Sequence, residues 1–191
     1  ELIMTLIEYY NLFIRKLDSK IDKNELDEFF FWLIEYYCSI NRMKYILNPN
    51  YIISDHQKSN LFKAIELLKI NMPIQYVIGE SEFMNLKFHL NYNVLIPRPE
   101  TEELVSWVIS INPINKKILD IGTGSGCIAI SLAKFIKSCD LTAWDINKEI
   151  LEVARKNAFL NEVKVLFEIQ DISSTKSDKR FDIIISNPPY I

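Results

Sequence analysis

Apolar side chains recur at three- and four-residue intervals through residues 1–70. Leu2, Leu6, Ile7, Tyr10, Phe13 and Leu17 form one series, which predicts an amphipathic helix. A second helix is predicted over Asn24–Ile40, with Leu26, Phe29, Phe30, Leu33, Ile34 and Tyr37 on its core side and Asp22 and Glu25 at capping-box spacing. A short segment, Met43–Leu47, stops at Asn48-Pro49. Ser54 and Gln57 then open a helix through Lys69. Aromatic residues at helical spacing fill a core more often than a cofactor box, so residues 1–72 read as a helical bundle.

From residue 74 the pattern changes. Phe83–Phe88 and Tyr92–Ile96 are short β-prone runs around Asn85 and Asn91, both tolerant of turn geometry. Residues 73–99 therefore read as a hairpin-like connector, ended by the stiff Pro97-Arg98-Pro99. Glu100–Ile111 returns to helical spacing. After Lys117 strand and helix alternate: strands Ile118–Ile121, Leu141–Trp144, Val163–Ile169 and Phe181–Ser186, with helices Cys127–Ile136 and Lys148–Leu160, the latter capped by Asn147. Apolar strands alternating with helices indicate an α/β fold with a parallel sheet covered on both faces.

Composition narrows the possibilities. The chain has 191 residues, 49% hydrophobic and 25% charged, as expected of a globular protein. Residues 1–96 carry 10 Lys and Arg against 12 Asp and Glu; residues 97–191 carry 12 against 13. Neither half is basic, which disfavours a protein that grips nucleic acid through its phosphates. Cys38, Cys127 and Cys139 form no CxxC pair and the only histidines are His56 and His89, so neither a disulfide framework nor a zinc site is expected. No apolar run reaches the roughly 18 residues of a membrane span. The N-terminal stretch does not read as a signal peptide, and a cytoplasmic location is expected.

Three of the four glycines fall within five residues, in Leu119-Asp120-Ile121-Gly122-Thr123-Gly124-Ser125-Gly126. The loop follows a strand and opens a helix, where glycines let a ligand lie against the backbone and helix amides face it. A dinucleotide fingerprint would need Gly or Ala at Cys127, and no Gly-Lys-Ser/Thr follows to make a P-loop. Asp145 ends the next strand, where a carboxylate can accept both hydroxyls of a ribose. A capping Asp competes with that reading; the spacing from the glycine loop favours the ligand.

Asn187-Pro188-Pro189-Tyr190 follows the fourth strand, on the same sheet edge. Two prolines make a stiff turn that aims two acceptors, the Asn187 side chain and the Pro188 carbonyl, while Tyr190 adds a flat face. The arrangement suits holding a planar NH2 group while its nitrogen attacks a methyl carbon. A plain strand-ending turn is the alternative.

Together these residues resemble a class I S-adenosylmethionine-dependent methyltransferase acting on an amino or amide nitrogen. The strings Pro73–Glu80, Val94–Glu102 and Ile185–Ile191 further resemble the release-factor glutamine methyltransferase family. The resemblance is close over residues 73–191 and architectural over 1–72. It implies an N-terminal helical domain for substrate recognition (1–72), the connector (73–99) and a Rossmann-like methyltransferase domain (100–191). It implies methyl transfer to the side-chain amide of the glutamine in the Gly-Gly-Gln motif of peptide chain release factors. Gly122, Thr123, Gly124, Ser125, Gly126, Asp145 and Ile172 would hold the cofactor, with Asn187 beside it. Asn187, Pro188, Pro189 and Tyr190 would hold the glutamine amide, and Asn187, Pro188 and Tyr190 would act in catalysis. Arg98 and Glu100 would either shape a cofactor lid or serve only the helix entry.

Two positions depart from the family pattern: Ile172 stands where an aromatic is common, and Asn85 where Gly is usual. The complete fold needs three strands beyond the fourth, so the sheet reads as incomplete and the chain as part of a longer protein. As written, Phe181–Ser186 would be an exposed apolar edge. A DNA or RNA amino-methyltransferase would use the same tetrad, and a non-enzymatic docking domain with a cofactor-binding remnant is a third reading.

Overall fold

Thr5 starts the first helix, α1 (Leu6–Leu17): its hydroxyl accepts from the Glu8 N–H while the Glu8 carboxylate accepts from the Thr5 N–H. This capping box carries no strong apolar signal and is not among the sequence expectations. In this computed structural model residues 3–174 and 178–188 are described; Leu2 lies outside them. α2 (Lys23–Cys38), α3 (Arg42–Leu47) and α4 (Asp55–Lys69) follow. The Ser54–Gln57 capping box forms. The expected Asp22–Glu25 box does not: the Asp22 carboxylate accepts from the Asn24 N–H at 2.9 Å, a shorter Asx-type reach that satisfies the same helix end.

Residues 1–78 form one compact unit and residues 79–191 a second. The first is built on Tyr9, Phe13, Phe30, Leu33, Leu61 and Leu68. Tyr9 is fully buried, and its hydroxyl donates to the Leu61 carbonyl at 2.9 Å, so the ring adds apolar area without an unpaired polar group. The unit closes with a one-turn helix, α5 (Ile74–Ile78). The hairpin-like reading of 73–99 did not foresee it: Ile74 and Val77 are buried in the bundle core, and that packing outweighs local β preference.

The second unit opens with an antiparallel hairpin, β1 (Glu80–Phe83) and β2 (Leu86–His89). Its two-residue turn, Met84-Asn85, has φ of 52° and 57°, the geometry that follows the strand twist. Tyr92–Ile96 is not a strand. The Asn91 side chain accepts from the Asn93 N–H and its carbonyl from the Val94 N–H, folding the segment into a turn instead. Then come α6 (Pro99–Ser110), β3 (Lys117–Ile121), α7 (Cys127–Phe135), β4 (Asp140–Asp145), α8 (Lys148–Leu160), β5 (Leu166–Ile169) and β6 (Ile183–Ser186). β5 starts later than Val163 because the Val163 N–H donates to the Ala158 carbonyl, closing the end of α8.

β3 to β6 form one parallel sheet in the order β5–β4–β3–β6. β3 is central, and its loop runs toward β4 on one side while β6 joins on the other. The strand order therefore reverses between β3 and β6, and in open parallel sheets ligands bind in the crevice at such a point, beyond the carboxyl ends. Ile118, Ile128, Ile130, Leu132, Leu141 and Ile185 form the core of this sheet and its helices.

Candidate active site

The register fixes the site. Ile121 of β3 pairs with Ser186 of β6 and with Trp144 of β4. Gly122, Asn187 and Asp145 are each the next residue, so three neighbouring strands deliver them to one sheet edge. The Ser186 hydroxyl donates to the Ile121 carbonyl at 2.8 Å, tying the two strand ends where both motifs begin.

Gly122, Gly124 and Gly126 all have positive φ, between 56° and 84°. A Cβ added at Gly122 or Gly124 would meet nothing within 4 Å, so the outer side of the loop is open. Gly126 differs: a Cβ there would lie 2.7 Å from Ile130 Cδ1 and 3.2 Å from Ala154 Cβ. Its absent side chain serves helix packing.

Asp145 is nearly buried; its Oδ2 accepts from the Gly124 N–H at 3.2 Å and its Oδ1 from the Asn147 N–H at 3.1 Å. A carboxylate has about four acceptor sites, so two remain for a diol. The Thr123 and Ser125 side chains are buried, and the Thr123 hydroxyl donates to Asp120 Oδ2 at 2.6 Å. Their side chains therefore face inward and not out of the loop. Asp120 is fully buried; burial pushes its carboxyl up to about 6, opposed by the Thr123 hydroxyl and the Ala129 N–H, with Asp145 adding to the rise. Burial, with Asp120 behind it, pushes the Cys127 thiol up to about 12, so it is no nucleophile at neutral pH.

Ile172 follows β5 and is exposed. Arg98 is the N-cap residue of α6, with Pro99 at its first position and Glu100 in its first turn. Asn187 and Pro188 are described, whereas Pro189 and Tyr190 lie outside the described residues. Among the described residues no cluster of His, Cys, Asp and Glu could hold a metal ion, and no helix is long and apolar enough to cross a membrane. A cavity of about 1150 Å³ touching Lys117 and Asp140 opens at the amino ends of β3 and β4, opposite this site.

Sequence reasoning missed Asn157 and Thr101. Asn157 of α8 is fully buried. Its Oδ1 accepts from the His89 N–H at 2.7 Å, and its Nδ2 donates to the His89 and Ser125 carbonyls at 3.0 and 2.9 Å. One amide thus fastens β2 and the glycine loop to α8, with Asn161 extending the contact to the Lys87 carbonyl. Asn157 inside a helix, where Asn is a poor helix former, was the available signal; Asn161 is the C-cap of the same helix. Thr101 of α6, buried, accepts from Asn187 Nδ2 at 2.9 Å.

A glycine loop, an acidic strand end and an Asn-Pro pair meeting at the switch point of a parallel sheet define a Rossmann-like methyltransferase domain. Residues 101–191 match the family model described as "Methyltransferase small domain", and residues 8–79 match "PrmC N-terminal domain". The release factor glutamine methyltransferase of Flavobacterium psychrophilum is 43% identical over 98% of this chain and 68% of its own length. The protein of that name from Bacteroides thetaiotaomicron is 42% identical over 80% of this chain and 55% of its own length. That of Leptospira interrogans is 36% identical over 99% of this chain and 67% of its own length. The chain belongs to the release factor glutamine methyltransferase family.

Proposed function

We propose that the intact protein transfers a methyl group from S-adenosylmethionine to the side-chain amide nitrogen of the glutamine in the Gly-Gly-Gln motif of peptide chain release factors. The observation that carries this reading is the register: Gly122 and Asn187 each follow one of the paired residues Ile121 and Ser186. The glycine loop and Asn187 thus lie at adjacent strand ends, where the one would hold the cofactor and the other the amide. The open outer side of Gly122 and Gly124, and the spare acceptor sites of Asp145, fit a nucleoside with a ribose diol. Ile172 would supply apolar contact to its base, and Pro189 and Tyr190 would complete the acceptor pocket. The bound cofactor supplies an electrophilic methyl carbon whose bonding pair leaves with sulfur.

The chain's own residues orient and stabilise. Asn187 and the Pro188 carbonyl accept the two amide hydrogens, holding the nitrogen in line with the methyl. As the new C–N bond forms, the nitrogen gains positive charge, which those fixed acceptors stabilise. One amide proton then leaves to water, and no strong base is required. The absence of a basic half favours a protein acceptor over DNA or RNA, and a cytoplasmic location belongs to the same reading.

The test combines intact protein, S-adenosylmethionine and a purified release factor, read by peptide mass spectrometry. One added methyl on the Gly-Gly-Gln glutamine, lost in Asn187→Ala, is expected. Cofactor binding without transfer to the release factor would overturn the substrate and redirect the search to nucleic-acid amines.

A further inference from the structure

The Asn187 side chain can face its pocket in two ways. Rotating the amide by half a turn exchanges the oxygen, an acceptor, for the NH2 group, a donor. The exchange changes the side chain's shape very little, so packing alone does not select between them. Only the acceptor end suits an incoming NH2 group; the donor end would confront it with two hydrogens.

One described contact is made by the donor end, which leaves the acceptor end free. Thr101 Oγ1 accepts from Asn187 Nδ2 at 2.9 Å. The contact links residues 86 apart in sequence, across from the helix α6 to the end of β6. Thr101 is 6% exposed, so water does not compete freely for the Asn187 NH2 group. The placement of the hydroxyl is built in locally. Arg98 caps α6, Pro99 occupies its first position and the Thr101 N–H donates to the Arg98 carbonyl at 3.0 Å. The stiff Pro97-Arg98-Pro99 turn thus fixes where the first turn of α6 begins, and with it Thr101. On the other side, the Ser186 hydroxyl anchors the strand end next to Asn187.

We infer that Thr101 is a positioning residue: by its hydrogen bond to Asn187 Nδ2 it holds that side chain in place, with Oδ1 free for the substrate amide. The inference rests on the proposed acceptor role of Asn187. It also gives the Pro97–Glu102 string a role in acceptor orientation, separate from a cofactor lid.

The test uses the intact protein and three variants: Thr101→Val, which keeps the shape and loses the hydroxyl, Thr101→Ser, which restores it, and Asn187→Ala. Thr101→Val should lower kcat on the order of 10- to 100-fold, the scale of a small misplacement of a reacting group. KM for S-adenosylmethionine should change less than about twofold, because the cofactor loop is untouched. Thr101→Ser should recover most of kcat. In the Asn187→Ala background, Thr101→Val should have no further effect on kcat.

A second readout needs neither substrate nor turnover. The Asn187 side-chain amide signals in a ¹⁵N–¹H spectrum, assigned by their loss in Asn187→Ala, should move in Thr101→Val and return in Thr101→Ser. Unmoved signals with full kcat in Thr101→Val would overturn the inference. If Thr101→Val does not fold, Thr101→Ala, which also lacks the hydroxyl, takes its place: shifted amide signals with lowered kcat uphold the inference, and unmoved signals with full kcat overturn it. If the wild-type protein methylates no release factor, the substrate reading fails while the amide signals still decide the contact.

Discussion

Asp120 is a carboxyl group whose charge works against the fold that surrounds it. The folded chain holds its proton up to about pH 6, while the ordinary carboxyl value is 3.8. Folding therefore takes up a proton between these limits, and stability falls as pH rises through that window. Two pKa units correspond to about 3 kcal/mol. Asp120→Asn removes the titration, so its stability relative to wild type should rise from pH 4 to pH 7 and level off above. Urea melts at several pH values measure this, and a difference constant from pH 4 to 7 would assign the titration to another group. The thiols give a second residue-scale expectation. Burial pushes Cys38 up to about 11 and Cys127 up to about 12, whereas Cys139 is only partly buried. Iodoacetamide should label Cys139 first, with peptide mapping giving the order. The sequence could put Gly122 and Asn187 at the sheet edge because each sits in a local string, and Asp145 because it ends the next strand. Thr101 and Asn157 were not legible in it, since they act on partners 86 and 68 residues away and leave no periodic trace.

At the scale of elements, the three loop glycines answer to different demands. Gly126→Ala forces a methyl against Ile130 and Ala154 and should cost about 1–3 kcal/mol of stability. Gly124→Ala meets open space and carries mainly the left-handed backbone penalty, about 1 kcal/mol. Cofactor affinity should follow the opposite order, Gly124→Ala losing more than Gly126→Ala. Urea melts and isothermal titration with S-adenosylhomocysteine measure the two rankings, and identical rankings would remove the distinction. Periodicity located α1, α2, α4, α6, α7 and α8, and the four parallel strands to within a few residues. It misplaced Tyr92–Ile96 and the start of β5, because Asn91 and the end of α8 capture backbone N–H groups that a strand would need.

In the whole molecule, residues 1–78 and 79–191 each carry a core of their own. Adding S-adenosylhomocysteine to the intact protein should slow amide exchange in residues 119–126 and 143–147. Protection confined to residues 6–69 would overturn the cofactor site. The alternation of strands and helices announced a parallel sheet, but not the order β5–β4–β3–β6; that order depends on which strand crosses back, which no local pattern records. It also sets a schedule. Ile118 pairs with Leu141 but also with the much later Ile183, and such distant pairing is slow to form. A chain emerging from the ribosome, amino end first, owns β3, the glycine loop and β4 before β6 has been made. The half of the site that would receive the nucleoside is thus assembled while the half that would receive the glutamine is still being translated.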